Sequence, residues 1–193
     1  VTGIDNAGDI VGSATIGGFR EGFVDSNGSY QTVFNPAGQS TTIESVSKSG
    51  IIAGIFFNST TLHNLGFTDT AGVFTNFAAK NGGHVGDVSV NDSGTVVFQE
   101  GGTHGADEVL SNGVYSVLGA PILNQSINGT GPSAINDTGL IVGDYNTGSN
   151  SLAGFIAAPV SSAPEPETWA LMLIGVAASG SMLRLRRRIA PAA

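Results

Sequence analysis

One block recurs four times at nearly even spacing, and that limits the chain to a repeat architecture. It reads Ile4-Asp5-Asn6-Ala7-Gly8-Asp9-Ile10-Val11-Gly12, then Val46-Ser47-Lys48-Ser49-Gly50-Ile51-Ile52-Ala53-Gly54, then Val90-Asn91-Asp92-Ser93-Gly94-Thr95-Val96-Val97-Phe98, then Ile135-Asn136-Asp137-Thr138-Gly139-Leu140-Ile141-Val142-Gly143. The central glycines Gly8, Gly50, Gly94 and Gly139 lie 42, 44 and 45 residues apart. Each block brings in a β-branched residue, passes through a short polar turn, and leaves through glycine into an apolar run. Asn, Asp and Ser favour the first positions of a turn, and glycine accepts positive φ without a Cβ clash. The block predicts a β-hairpin with a type I turn and a glycine bulge.

A second block alternates with the first. It reads Gly22-Phe23-Val24-Asp25-Ser26-Asn27-Gly28-Ser29-Tyr30-Gln31-Thr32-Val33 and then Gly66-Phe67-Thr68-Asp69-Thr70-Ala71-Gly72-Val73-Phe74-Thr75-Asn76-Phe77. A weaker copy spans Val109-Leu110-Ser111-Asn112-Gly113-Val114-Tyr115-Ser116-Val117-Leu118, and a half-copy is Gly154-Phe155-Ile156. Apolar residues alternate on either side of a glycine turn, which predicts a second hairpin. Four short strands per unit of about 44 residues is the pattern of a β-propeller blade, with a β-solenoid as the alternative. The sequence predicts three full units between a leading half-unit and a trailing strand. That strand, near Gly154–Ala158, is expected to pair with the hairpin at Ile4–Ser13 and close a ring.

Charge and composition narrow the function. The whole chain carries −8, unevenly placed. Before Pro164, Arg20, Lys48 and Lys80 face thirteen acidic residues, a body charge of −10; from Pro164 onward the balance is +2. An acidic body disfavours nucleic acid as a partner, because phosphate binding needs clustered Lys and Arg. With no cysteine, disulfides, thiolate zinc sites and a thiol nucleophile are excluded. The sequence starts at Val1 and shows no signal peptide, so the natural N-terminus is expected upstream.

From Ser161 the character changes. Pro164-Glu165-Pro166-Glu167-Thr168 precedes the uncharged run Trp169–Leu183, and Arg184-Leu185-Arg186-Arg187-Arg188 follows it. As a helix the run would span about 22 Å at ~1.5 Å per residue. That is short of a full crossing, but Arg184 can snorkel to the headgroups. Trp169 suits the membrane interface, and the arginines predict a C-terminus on the cytoplasmic side. The expected division is a β-repeat domain over 1–158, a linker with the Pro-Glu-Pro motif over 159–168, and a transmembrane helix with a basic tail over 169–188.

Chemistry-bearing residues are sparse. His63, His84 and His104 are spaced by about half a repeat, without short metal spacing. Asp5, Asp9, Asp25, Asp69, Asp92 and Asp137 sit in or beside predicted turns, and no calcium-loop spacing appears. Asp107-Glu108 are adjacent carboxylates that a strand would point to opposite faces. Neither a Gly-x-Ser-x-Gly elbow nor a phosphate loop is present. The matched repeat positions hold Gly, Asn and apolar residues, so no catalytic residue, metal ligand or cofactor site is assigned. The chain is expected not to be an enzyme, with a secreted propeller-type hydrolase or lyase acting on polysaccharide as the alternative.

Two resemblances add to this reading. The blocks over residues 1–158 resemble the HAF repeats of exported bacterial proteins, best at Ile135–Gly143. Glu21-Gly22-Phe23, Leu65-Gly66-Phe67 and Ala153-Gly154-Phe155 stand where that family has His-Ala-Phe. Residues 164–188 resemble a PEP-CTERM sorting tail, carried by Pro164, Glu165, Pro166, Trp169, Arg184, Arg186, Arg187 and Arg188. This resemblance implies a Gram-negative bacterium with exopolysaccharide, and an exosortase that recognises and removes the tail. It also implies a protein held in the membrane before processing and at the cell surface or outside the cell afterwards. Exopolysaccharide or matrix components are then the expected partners of the body, as a binding or structural module.

Overall fold

The structure is a computed structural model, and it describes residues 1–101, 107–118, 130–146 and 151–159. The expected transmembrane helix, the Pro-Glu-Pro motif and the arginine cluster lie outside these residues. Among the described residues no helix is long and apolar enough to cross a membrane. The secondary structure there is entirely β. Residues Val1–Ala158 form one compact unit.

Fifteen strands form four antiparallel sheets. The first holds β1 (Gly3–Ile4), β2 (Ile10–Ile16), β3 (Phe19–Ser26) and β4 (Ser29–Val33) in chain order. The second holds β5 (Thr41–Val46), β6 (Ile52–Asn58), β7 (His63–Thr70) and β8 (Val73–Phe77). The third holds β9 (His84–Val90), β10 (Val96–Gly101), β11 (Glu108–Ser111) and β12 (Val114–Val117). The fourth has three strands, β13 (Thr130–Ile135), β14 (Ile141–Asn146) and β15 (Leu152–Ala157). Each sheet packs on the next through the first strand of the later one, and among the described residues hydrogen-bonded ladders run within sheets only. This is propeller-like; a solenoid would pair strands of successive repeats.

The two predicted hairpins are present in the first three sheets. The first block forms the turn between the first two strands of every sheet. Gly8, Gly50, Gly94 and Gly139 have φ of 89°, 88°, 74° and 79°, the left-handed region that glycine enters without strain. In each turn the glycine N–H donates to the carbonyl three residues back, on Asp5, Ser47, Asn91 and Asn136. The side-chain oxygens of those four residues accept the N–H groups two and four residues on. Short polar side chains are required here because they replace backbone partners inside a tight turn. The second block forms two-residue turns at Asn27-Gly28, Ala71-Gly72 and Asn112-Gly113, each with both residues at positive φ, as a type I′ turn requires.

Two expectations are corrected. The leading half-unit is the inner hairpin of a complete first sheet, so the described chain has three four-stranded sheets and a three-stranded fourth. The trailing strand β15 pairs with β14 along its whole length, from Ile141↔Ala157 to Asn146↔Leu152. Among the described residues it makes no ladder with β1 or β2. Joining the same sheet as its hairpin neighbour needs only a local turn, whereas closing onto the first hairpin needs a long-range pairing.

The core lies between sheets. Val11, Ile43, Ile52, Phe56 and Phe67 bury one cluster between the first and second. Val85, Val88, Val96, Phe77 and Phe98 bury another between the second and third. Val97, Ile135, Ile141 and Phe155 bury a third between the third and fourth. A buried side chain of this size contributes about 1.5–3 kcal/mol, so successive sheets are held mainly by apolar contact.

Candidate functional site

One irregularity recurs in register with the repeat. In β5 the ladder passes from Ile43↔Gly54 to Ser45↔Ala53, leaving Glu44 extra. In β13 it passes from Pro132↔Gly143 to Ala134↔Val142, leaving Ser133 extra. In β9 it passes from Gly86↔Gln99 to Ser89↔Val97, leaving Asp87 and Val88 opposite Phe98 alone. Counted from the turn glycine, Glu44, Val88 and Ser133 occupy the same position, six residues earlier, and Thr2 is its counterpart in the first repeat. A β-bulge re-aims the side chain it carries and commonly sits at functional edges.

These positions converge on one cavity of about 550 Å³. Its walls include Thr2, just before β1, and Glu44, Asp87 and Ser133 from the first strands of the other three sheets, with Arg20 from β3 and Asp144 from β14. The volume falls in the range of small-molecule sites, about 300–1,000 Å³.

Glu44 is the best-held group in it. Its Oε2 accepts the Val88 N–H at 2.6 Å. Partial burial pushes its carboxyl above the ordinary range, and the nearby Asp87 charge adds to this. The Val88 hydrogen bond and the Arg20 charge work in the other direction. Asp87 is exposed, with φ of 47°, a strained value for a residue with a Cβ. The cavity therefore combines one half-buried carboxyl that resists ionisation, two further carboxylates and one guanidinium. That arrangement can donate a proton at one atom and hold negative charge at others.

The other candidates from the sequence fall elsewhere. The turn acids serve the turns. Asp5 accepts Ala7 and Asp9 N–H groups, Asp25 accepts Gly28 N–H at 2.7 Å, and Asp69 accepts Gly72 N–H at 2.7 Å. Asp92 and Asp137 join neighbouring turns: Asp92 accepts Ser49 N–H at 2.8 Å, and Asp137 accepts Asp92 N–H at 3.1 Å and the Lys48 ammonium at 2.7 Å. Their hydrogen bonds, to serines for Asp92 and to Lys48 for Asp137, hold both carboxyls below the ordinary range.

His63 and His84, some twenty residues apart in sequence, are stacked with ring centroids 4.5 Å apart. His84 Nδ1 accepts the Asn64 N–H at 3.1 Å; His104 lies outside the described residues. Among the described residues no three acids or histidines gather closely enough to hold a metal ion.

Asp107, just before β11, and Glu108, its first residue, are both buried, at 2% and 1% exposure. Glu108 accepts the Lys80 N–H at 3.0 Å, and the neighbouring Glu100 accepts from Asn81 Nδ2 and Gly83 N–H. Burial pushes the Glu108 carboxyl up. These acids anchor the segment joining β8 to β9.

The sequence analysis missed Arg20, Glu44, Asp87, Ser133 and Asp144. A signal was available: aligned on the turn glycine, the positions six and seven residues earlier change from repeat to repeat while the turn itself stays the same. Catalytic groups need not be of one type at matching positions. The sequence reading weighed the Gly, Asn and apolar residues of the matched blocks and passed over these positions, which place unlike groups around one space.

No protein-family model and no curated protein sequence matches this chain. Among solved structures, an X-ray structure provisionally named a gluconolactonase is similar over 82% of this chain, at 10% sequence identity and a TM-score of 0.47. The chain spans 63% of the length of that structure. A likeness of this extent assigns no chemistry. The expectation that this chain is not an enzyme is withdrawn on the side chains gathered around the cavity, which that expectation left out of account.

Proposed function

We propose that the chain is an exported polysaccharide-active protein, a propeller-type hydrolase or lyase working in the cavity around Glu44. The observation that carries this reading is the pairing of unlike carboxyls in one space. Burial raises the Glu44 carboxyl above the ordinary range, and Asp87 is exposed beside it. In hydrolysis the protonated Glu44 gives its proton to the leaving oxygen. Asp87 or Asp144 supplies the carboxylate that activates water or steadies the developing positive charge on the sugar. Arg20 and Ser133 orient the chain in the cavity.

The direct test is release of reducing ends from a panel of neutral and acidic polysaccharides. The wild type releases them, and Glu44→Gln lowers the rate by about 10²–10⁴-fold while leaving thermal unfolding in place. Equal release by the variant, or no release from any polysaccharide, overturns the reading.

The same proposal covers delivery. Residues 164–188 act as one sorting signal, with Pro164-Glu165-Pro166 as the recognition site and the run from Trp169 as the membrane segment. Arg184, Arg186, Arg187 and Arg188 hold the C-terminus inside, because placing each charge at a helix centre costs about 2.5–3.5 kcal/mol on the insertion scale. Exosortase is the partner this predicts, and the cell surface or its exopolysaccharide the destination. Replacing Pro164 and Pro166 with Ala should leave an uncut, membrane-held form in the native host. If that variant is cut and released like the parent, the motif is not the recognition site.

A further inference from the structure

A second cavity lies where the first sheet meets the second. It measures about 370 Å³ and is walled by Thr15, Phe19, Arg20, Gln39, Ser40 and Phe57. Its outer lip is the β2–β3 turn, where Gly17 and Gly18 have φ of 60° and 89° and leave Ile16 and Phe19 more than half exposed. Its floor is fixed by backbone: the Gln39 N–H donates to the Phe57 carbonyl at 3.0 Å, and the Phe57 N–H donates to the Ser40 carbonyl at 3.1 Å. Phe57 is therefore held, while Phe19 stands at the rim.

Arg20 is the only arginine in the first 183 residues. Among the described residues its guanidinium makes no ion pair and no hydrogen bond; Glu44 feels it through space. In a body carrying −10, this is the one planar, five-donor cation set against a cavity wall. Guanidinium groups bind carboxylates in bidentate fashion. Aromatic rings take an apolar face, and the hydroxyls and amide of Thr15, Ser40 and Gln39 hydrogen-bond to hydroxyl groups. A single molecule that carries a carboxylate, an apolar C–H face and several hydroxyls is a sugar acid.

We infer that this cavity is a binding site for a hexuronate-type sugar, with its carboxylate on Arg20 and its ring against Phe19 and Phe57. The site stands apart from the proposed hydrolysis at Glu44 and does not require it. It shares Arg20 with that cavity, so Arg20 is not the residue that separates the two ideas; Phe19 and Glu44 are.

The test is a titration of the isotope-labelled protein with D-glucuronate or D-galacturonate, followed by amide NMR. D-glucose and benzoate serve as probes lacking the carboxylate and the hydroxyls. Saturable shifts centred on residues 15–20, 39–40 and 57 are expected with a uronate, and glucose and benzoate should bind more weakly. Arg20→Gln should weaken uronate binding by about 10–100-fold, the loss of a charge-assisted hydrogen-bond pair. Phe19→Ala should weaken it while keeping a dispersed, folded spectrum. Glu44→Gln, which disables the proposed hydrolysis, should leave uronate binding unchanged or tighter, because it removes a negative charge near Arg20. Glucose binding as well as glucuronate, benzoate binding better than either, unaltered binding by Arg20→Gln, or shifts confined to the Glu44 cavity would each overturn the inference.

Discussion

The second and third sheets contain the same bulge and accommodate it in opposite ways. In the second, Gly54 pairs with Phe67. A Cβ on Gly54 would overlap the Thr42 carbonyl oxygen, so no side chain fits there. The fourth sheet repeats the solution, with Gly143 pressed by the Gly131 carbonyl and paired with Phe155. In the third sheet Phe98 stands at the glycine's position and Glu108 stands opposite, where the others have phenylalanine. Phe98 is fully buried and its ring lies 5.1 Å from that of Phe77. Asp87 is where the third sheet departs from the others: its φ of 47° differs in sign from its counterparts Ile43 and Pro132. The large residue can thus cross from one strand to the next at the cost of one strained residue and one buried carboxyl. The strained residue then faces the cavity beside Glu44.

Removing the swapped ring should have the largest effect. Phe98→Ala is expected to cost about 3–5 kcal/mol, read by denaturant unfolding. A loss below about 1 kcal/mol would mean that the third sheet does not depend on the exchange. Next comes the contrast at glycine. Gly54→Ala should destabilise by about 2–3 kcal/mol, because backbone must move. Gly86→Ala has nothing within 4 Å of its added Cβ and should stay within about 0.5 kcal/mol of wild type. Equal effects at the two positions would break the comparison.

Asp87→Gly should leave stability within about 1 kcal/mol of wild type or raise it, since relief of the left-handed strain offsets the added freedom of the unfolded chain. A clear loss would show that the aspartate side chain, not its backbone, holds the bulge.

The smallest effect expected is one of slope. The Glu108 carboxyl is raised by burial, so the folded protein binds its proton more tightly than the unfolded chain does. Stability should therefore fall as pH rises from the ordinary carboxyl range through the raised value. Glu44 and Asp69, also raised by burial, contribute in the same sense, so Glu108→Gln should make that decline shallower without abolishing it. Asp92 and Asp137, both lowered, act in the opposite sense and lose their contribution as pH falls through their folded values. A decline of unchanged slope in Glu108→Gln would place its origin wholly in the other raised acids.

Much of the fold was legible because turns are written locally. The Asp5, Ser47, Asn91 and Asn136 side chains and the glycines three residues later announce the inner hairpins, and Asn27-Gly28 and Asn112-Gly113 announce the outer ones. The cavity was not legible, because it depends on a register shift. A bulge leaves no residue type of its own, and Thr2, Glu44, Asp87 and Ser133 share no identity that a repeat search would find. The burial of Glu108 was hidden for a related reason: it is tolerable only because the Lys80 N–H, from another sheet's connection, reaches it. The pairing of β15 within its own sheet reflects local hairpin chemistry that the ring-closing expectation passed over.

The central claim is that the bulges bring unlike side chains to one cavity and raise the Glu44 carboxyl above the ordinary range there. Titrating Glu44 by carbon-13 NMR of its side-chain carboxyl tests this most directly. The midpoint should lie above that of an ordinary glutamate, about 4.3. It should fall in Asp87→Asn, which removes a neighbouring negative charge, and rise in Arg20→Gln, which removes a positive one. Asp92→Asn, in a turn, should leave it unmoved. A midpoint in the ordinary range that ignores both Asp87 and Arg20 would mean that these groups do not share a site, and would contradict the account.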